Sequence, residues 1–199
     1  MSLSTPDLAA LDAAAAWAWL AGQLTAASGS ARHAFHLLTV ATVGTDGHPD
    51  ARTVVLRHVD PAGRVVRFHS DIRSEKVRSL QRDPRLALHF YDPAMRVQVR
   101  ILARATIHHG DECAAAAWNA AAPMSRACYT TAVTPGERLD SFPEGPAAPP
   151  AGDDAGRDHF AVLSCRFDSV DLLALRAAGH QRVRLHLERD PITWTVLAP

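Results

Sequence analysis

The sequence predicts a mainly β protein with flanking helices, an α+β chain whose strands form an antiparallel sheet closing as a small barrel. Two observations predict it. Four or five β-rich runs between residues 35 and 105 are separated by tight turns rather than helices, which is the mark of antiparallel pairing. The run 96–105 also alternates cleanly, with Val97, Val99, Ile101 and Ala103 on one face and Arg96, Gln98, Arg100 and Arg104 on the other. Few helices accompany these strands, and closure is how such a sheet avoids open edges.

Taken in order, residues 4–27 read as a helix. Thr5 is a candidate N-cap, Pro6 suits the first turn and Asp7 complements the dipole. Leu8, Leu11, Ala15 and Trp19 share a stripe at helical spacing, with Leu20 and Leu24 beside it, so Trp17 and Trp19 are packing residues. Residues 26–30 form a linker. Strands are expected at 35–43, 50–59 and 65–70, joined by Gly44-Thr45-Asp46-Gly47-His48-Pro49 and by Asp60-Pro61-Ala62-Gly63. A charged helix over about 74–82 ends at Asp83-Pro84, and strands at 86–91 and 96–105 follow. Helices are expected at 111–122 and 125–131. Residues 134–156 are dense in Pro, Gly and Asp and cannot support a core. Residues 160–175 return to β character, and 180–188 forms the last strand. The organisation is thus an N-terminal helix and linker, 1–30, and a barrel domain, 31–199, with a flexible insert at 134–158.

Composition limits the function classes. The 21 basic and 21 acidic residues cancel, unlike the basic excess of a nucleic-acid coat, so no nucleic-acid partner is expected. No apolar run approaches the roughly 20 residues that span a bilayer, and the N-terminus lacks the pattern of a signal peptide. Cys113, Cys128 and Cys165 are odd in number and lack metal-ligand spacing, which reads as free thiols in a reducing cytoplasm. The adjacent His108 and His109 point to opposite faces of a strand, so no metal site is expected.

Basic side chains recur in one stretch. In His69-Ser70-Asp71-Ile72-Arg73-Ser74-Glu75-Lys76 a strand meets a helix start, where backbone N–H groups and the dipole favour an anion and a lysine adds full charge. Taken alone the segment reads as an ordinary capped helix with a solvated charged face, and it is not specific. Arg52 can grip a phosphate bidentately. Gln98 is either part of a solvated strand face or an amide able to pair with a heterocycle edge.

Read together, these segments resemble the pyridoxamine 5′-phosphate oxidase family and its FMN-binding relatives, over about residues 35–136 and 160–199. The resemblance is carried by ATVGTDGHPDARTVVLR, the DPAG turn, FHSDIRSEKVRSLQRDPRLALHF, the RVQVR strand, a helix ending AAPMS and a closing LAP. In the family an Arg-x-Val-Leu-Leu-Lys strand, a Thr-Asn-x-x-Ser-Arg-Lys turn and an Arg-Gln-Val strand hold FMN, and their order and spacing are kept. The resemblance implies an antiparallel split β-barrel of FMN-binding type, a homodimer with two FMN sites at the subunit interface, and a small-molecule substrate. Arg52 and Lys76 would hold the FMN phosphate with Ser70 and Ser74, and Gln98 would contact the ring. Thr53, Val54, Val55, Arg57, His69, Arg73 and Arg184 complete the implied cofactor set. Arg57, Arg126, His180 and Arg182 are the implied substrate contacts, the insertion at 176–179 leaving the register of Arg182 and Arg184 open by about two residues.

Departures from the family are equally specific. Its first-motif Lys is Arg57, and its Arg before the phosphate Lys is Glu75, with Arg73 able to supply the charge. A Tyr and an Arg that hold substrate phosphate fall near Trp118 and Ala122. A Gln-Ser pair that touches FMN falls near Pro135-Gly136, and a flavin-packing Trp falls near Leu173. The implied activity is oxidation of pyridoxamine or pyridoxine 5′-phosphate, or a related substrate, by dioxygen. The flavin carries the chemistry, so no catalytic acid–base pair need stand out. Two alternatives remain: a flavin reductase-like protein using NAD(P)H, and a split-barrel binder of haem or F420.

Overall fold

The structure is a computed structural model that describes residues 5–142 and 154–199. Its centre is an antiparallel sheet of nine strands: β1 (Leu37–Val43), β2 (Pro49–Val55), β3 (His58–Asp60), β4 (Val65–Asp71), β5 (Arg85–Asp92), β6 (Val97–His108), β7 (Phe160–Ala174), β8 (Gln181–His186) and β9 (Thr193–Leu197). The order is β2-β1-β5-β6-β7-β4-β3, with β8 and β9 continuing from the far half of β7. β2 and β4 approach one another although they stand near opposite ends of this path, so the sheet curls into a split barrel.

Closure is made by one segment that changes partners. β2 pairs along all of β1, then the Leu56 N–H donates to the His36 carbonyl at 2.8 Å and the Arg57 N–H to the Arg67 carbonyl at 2.9 Å. β3 then pairs with β4. The single strand expected over 50–59 is therefore two strands with a corner at Leu56-Arg57, fixed by Leu56, which is wholly buried. The turn at 60–63 forms as expected, with the Asp60 carboxylate accepting from the Gly63 N–H at 2.9 Å. A Cβ on Gly63 would stand 2.3 Å from Asp60 Oδ2, so a larger residue here would have to displace the carboxylate that closes the turn.

The barrel is filled by the inward set of the alternating strands, including Val40, Val66, Phe68, Leu88, Val99, Ile101 and Leu163. On β6 the inward residues are those the alternation predicted, as far as a bulge between Leu102 and Ala103 in its register with β7.

The first helix begins later than predicted. α1 runs Ala13–Gly29, and its N-cap is Asp12, which accepts from Ala15 N at 2.7 Å. Thr5 caps no helix, and Leu8–Ala10 form a separate 3-10 turn because Leu8 N–H is drawn to Gln181 Oε1 of β8 at 2.8 Å. The buried stripe of α1 is accordingly Ala13, Ala16, Leu20, Leu24 and Ala27, while Ala15 and Trp19 lie at its border. Trp17 packs edge-on against Phe167 at 6.2 Å.

α2 (Glu75–Arg82) starts after Ser74 and ends at Asp83, as expected. Beyond β6, α3 (Glu112–Ala120) is capped by Asp111, and α4 is shorter than expected at Pro123–Ala127. Trp118, Phe160, Val162 and Tyr129 form a second apolar cluster that fastens α3 to the outer face of β7. β9 is a further strand beyond the one expected last, laid against β8. Of the insert expected at 134–158, residues 143–153 lie outside the described residues.

A cationic cleft at the barrel corner

The corner at Leu56-Arg57 leaves a cleft of about 310 Å³, lined by Arg52, Thr53, Val54, Val55, Arg57, His69, Ser70, Asp71, Lys76, Cys128 and Tyr129. Each element contributes for a local reason. β2 supplies four successive residues because, among the described residues, its outer edge pairs with no strand. β4 ends at Asp71, and its last turn delivers Ser74 as the residue before α2, so Lys76 sits in the first turn of that helix.

Lys76 Nζ donates to Ser70 Oγ at 2.9 Å and to Ser74 Oγ at 3.2 Å, and the two hydroxyls lie 3.0 Å apart. Both serines are buried. Lys76 has no carboxylate within ion-pair distance among the described residues. Burial, and then the Arg52 guanidinium, push its pKa below the ordinary lysine value. A cation held by neutral hydroxyls and disfavoured by its surroundings is one that an incoming anion would relieve.

Arg52 donates to Thr42 Oγ1 at 2.9 Å and to the Val40 carbonyl at 3.2 Å, and pairs with Asp50, whose side chain is 46% exposed. That partner is a solvated carboxylate, which an anion could displace at modest cost.

Arg73 behaves differently. It grips Asp71 through Nε and Nη2 at 3.0 and 2.7 Å and reaches the Thr131 and Ala132 carbonyls. Burial alone would raise the Asp71 pKa, but the bonds from Arg73 hold it below the usual range. Arg73 therefore fastens the loop after α4 to the strand end, and its guanidinium is already engaged.

His69 is held neutral. Burial first, and the Arg57 charge second, lower its pKa to about 4. Its ring meets the Phe160 ring at 4.7 Å, edge to face. Burial likewise pushes the Tyr129 hydroxyl up to about 12. Asp71, Cys128 and Tyr129 were not singled out from sequence. The last two come from a loop more than fifty residues away, and no local pattern signals their arrival.

The remaining predicted residues are not in this cleft. Gln98 pairs in register with Tyr91 of β5 and Leu173 of β7, and Leu173 pairs with Arg182 of β8. One row on, Arg100, Asp171 and Arg184 stand side by side. Arg182 and Arg184 both project to the face that carries Gln98. Asp171, only 8% exposed in its side chain, accepts from Arg182 at 3.0 Å, Arg100 at 3.2 Å and Arg184 at 3.4 Å. His180 is exposed and precedes β8. Arg126 lies over the Trp118 ring at 5.4 Å and donates to the Asn119 carbonyl. No cluster of three or more metal-ligating side chains exists among the described residues, and no helix among them is long and apolar enough to cross a membrane.

A curled antiparallel sheet with a cationic cleft at its corner defines a split-barrel protein. The comparisons place it further. A family model described as pyridoxamine 5′-phosphate oxidase matches residues 24–149, and the chain belongs to that family. Pyridoxine/pyridoxamine 5′-phosphate oxidase of Xanthomonas euvesicatoria is 38% identical over 102 residues, half of each chain. The corresponding enzyme of Pseudomonas paraeruginosa is 42% identical over 64 residues, 32% of this chain and 29% of that one. The chain thus aligns with between about a third and a half of the length of these curated relatives.

Among solved structures, a pyridoxamine 5′-phosphate oxidase-related, FMN-binding protein of Nostoc punctiforme superposes with a TM-score of 0.72 at 24% identity, over 92% of this chain and 97% of that one. PhzG of Burkholderia lata, in complex with tetrahydrophenazine-1-carboxylic acid, gives 0.69 at 18% identity, over 92% and 91%. These likenesses show the fold.

Proposed function

We propose that the protein is an FMN-dependent oxidoreductase whose cleft holds the FMN phosphate. The observation that carries this is Lys76, desolvated and, among the described residues, supported only by the Ser70 and Ser74 hydroxyls, with Arg52 beside it. A phosphate there would accept from both cations and from both hydroxyls. The donor set thus fits the group that the family's Arg-containing strand and Ser-x-Lys turn carry. Thr53, Val54, Val55, Arg57 and His69 line the rest of the cleft and would flank the cofactor. Bound FMN would supply hydride acceptance, and dioxygen would serve as oxidant. The protein's part is to orient and to set charge. Arg57 supplies a fixed positive charge, and His69, kept neutral, supplies a ring nitrogen without adding a second one.

The functional unit in this reading is a homodimer. Leu37, Val43, Tyr91 and Leu102 are exposed apolar side chains on the outer face of β1, β5 and β6, the face that also carries Gln98, Arg182 and Arg184. A second copy covering this face would carry those polar residues toward its neighbour's cleft, with Gln98 at the ring and Arg184 at the cofactor. The three unpaired cysteines suit a reducing cytoplasm.

The substrate is pyridoxamine or pyridoxine 5′-phosphate or a relative. A second reading, reduction by NAD(P)H, is favoured by one observation: the positions near the family's phosphate-holding Tyr and Arg are the buried Trp118 and the exposed Ala122, neither able to hold a phosphate by charge. The purified protein should show a flavin absorption spectrum, or acquire one with added FMN. Anaerobic bleaching by pyridoxamine 5′-phosphate supports the first reading, and bleaching by NAD(P)H alone supports the second. A colourless protein that ignores FMN overturns both.

A further inference from the structure

The loop 128–132 forms one wall of the corner cleft through Cys128 and Tyr129, and it is held there from two sides. On one side Arg73 acts as a bracket. It grips both carboxylate oxygens of Asp71 and donates to the Thr131 carbonyl at 3.0 Å and the Ala132 carbonyl at 3.3 Å. On the other side the chain returning to β7 packs backbone against backbone. Gly156 has φ +85°, and a Cβ on it would stand 2.7 Å from the Tyr129 carbonyl carbon, so this approach needs glycine. His159 Nδ1 then donates to the Tyr129 carbonyl at 2.9 Å.

The Arg73 fork is spent on these partners. Its charge is matched by Asp71, whose side chain is only 8% exposed, and its remaining N–H groups go to neutral carbonyls. Arg73 therefore sets the position of the loop and adds no free charge to the cleft.

What the loop positions is Tyr129. Its ring stands edge-on to Phe160 at 5.0 Å and to Trp118 at 6.3 Å, which fixes the ring plane. Its hydroxyl has no hydrogen-bond partner among the described residues. The charges of Arg57 and Asp71, both cleft residues, act on that hydroxyl, and burial pushes its pKa up to about 12, so it offers an O–H donor at any ordinary pH.

We propose that Tyr129 is a further cofactor-binding residue, its hydroxyl donating to the phosphate of FMN beside Lys76 and Ser70, and that Arg73 is the positioning residue that holds it there by fastening the loop to Asp71. Both roles rest on the reading of the cleft as the FMN-phosphate site.

Two variants test them. Tyr129→Phe keeps the ring packing and removes the hydroxyl, and Arg73→Met keeps the stem and removes the fork. FMN affinity is read by fluorescence quenching, the phosphate of bound FMN by phosphorus NMR, and the loop in the FMN-free protein by hydrogen exchange over 128–132. Tyr129→Phe should weaken FMN by about tenfold, as expected for one hydrogen bond to a charged group. It should also shift the phosphorus resonance and leave loop exchange at the wild-type rate. Arg73→Met should speed that exchange and weaken FMN by a similar factor. The double variant should lose no more than Arg73→Met alone, because both residues act through one contact. Wild-type FMN affinity in Tyr129→Phe overturns the binding role, and losses that multiply in the double variant overturn the positioning role. A wild-type protein that never takes FMN removes the cofactor reading instead. Exchange in Arg73→Met then decides the bracket by itself: a faster rate keeps it, and an unchanged rate overturns it.

Discussion

Two cationic regions of this molecule use the same side chains to opposite ends. On the outer face of β6–β8, Arg100, Arg182 and Arg184 converge on one buried carboxylate, Asp171. At the barrel corner, Lys76 meets only hydroxyls among the described residues, and Arg52 meets a solvated aspartate. Within one chain the first region is already paired around a buried carboxylate, whereas the second holds cations without one, and in the proposed reading an anion completes it. The difference teaches that cation count alone does not locate a site; the partners each cation already has decide it.

The sharpest break of this comparison is to remove charge from the corner. Replacing both Arg52 and Lys76 with Met should lower FMN affinity by about a hundredfold or more, each lost charge-assisted contact contributing about 1.5–3 kcal/mol. The apo protein should not lose stability from Lys76→Met, because the folded state disfavours that charge. The sign follows from linkage: a lysine whose folded pKa is depressed holds its proton better when unfolded, so its ionisation opposes folding below its ordinary pKa. Fluorescence quenching and urea melts check the two halves. A large stability loss in apo K76M with unchanged FMN affinity would invert the assignment.

The converse break is Asp171→Ala, which should cost about 2 kcal/mol of stability. Removing one member of a buried pair costs about 3–5 kcal/mol, discounted here because Arg100 and Arg184 are nearly half exposed and can rehydrate. Urea denaturation with an unchanged slope measures it.

Acid gives a smaller and more local effect. His69 has its pKa lowered to about 4, chiefly by burial. Between its ordinary value near 6.5 and that folded value the unfolded chain binds the extra proton, so stability contributed by neutral His69 is present above this window and lost as pH falls through it. His69→Gln should flatten the fall in stability between about pH 6.5 and 4, as followed by thermal melts across that range. An unchanged profile would mean that His69 is not held neutral in the folded protein.

What was legible from sequence follows the same division between local and distant causes. The strand faces of β6, the 60–63 turn and the stop of α2 at Asp83-Pro84 depend on residues within a few positions, and they appear where the pattern puts them. The helix start did not, because Leu8 answers to Gln181, 173 residues away. Nor did the corner at Leu56-Arg57, where a continuous apolar run switches from one partner strand to another. In the candidate site, Arg52, Ser70, Ser74 and Lys76 were readable because strand end and helix start are contiguous. The assignment of Gln98, Arg182 and Arg184 to the same cofactor came from the resemblance alone, and within one chain these residues face elsewhere. Tyr129 and the engagement of Arg73 were unreadable, since both depend on the loop after α4 folding back over β4.

Arg184 is where the two regions can be tested against each other with the least disturbance. It is the longest of the three contacts to Asp171, at 3.4 Å, and its side chain is 46% exposed. An exposed pair of that kind contributes about 0–1 kcal/mol, so Arg184→Ala should leave stability nearly unchanged. If the face is purely structural, FMN affinity is unchanged as well. If a second copy covers it, Arg184 is the arginine freest to leave Asp171 and reach across, and its loss should weaken FMN binding severalfold while the R52M effect persists. Sedimentation at the same concentrations separates the causes. A dimer with intact assembly and weakened FMN binding assigns Arg184 to the neighbour's cleft, whereas a monomer that binds FMN at full strength confines the site to the corner cleft of one chain.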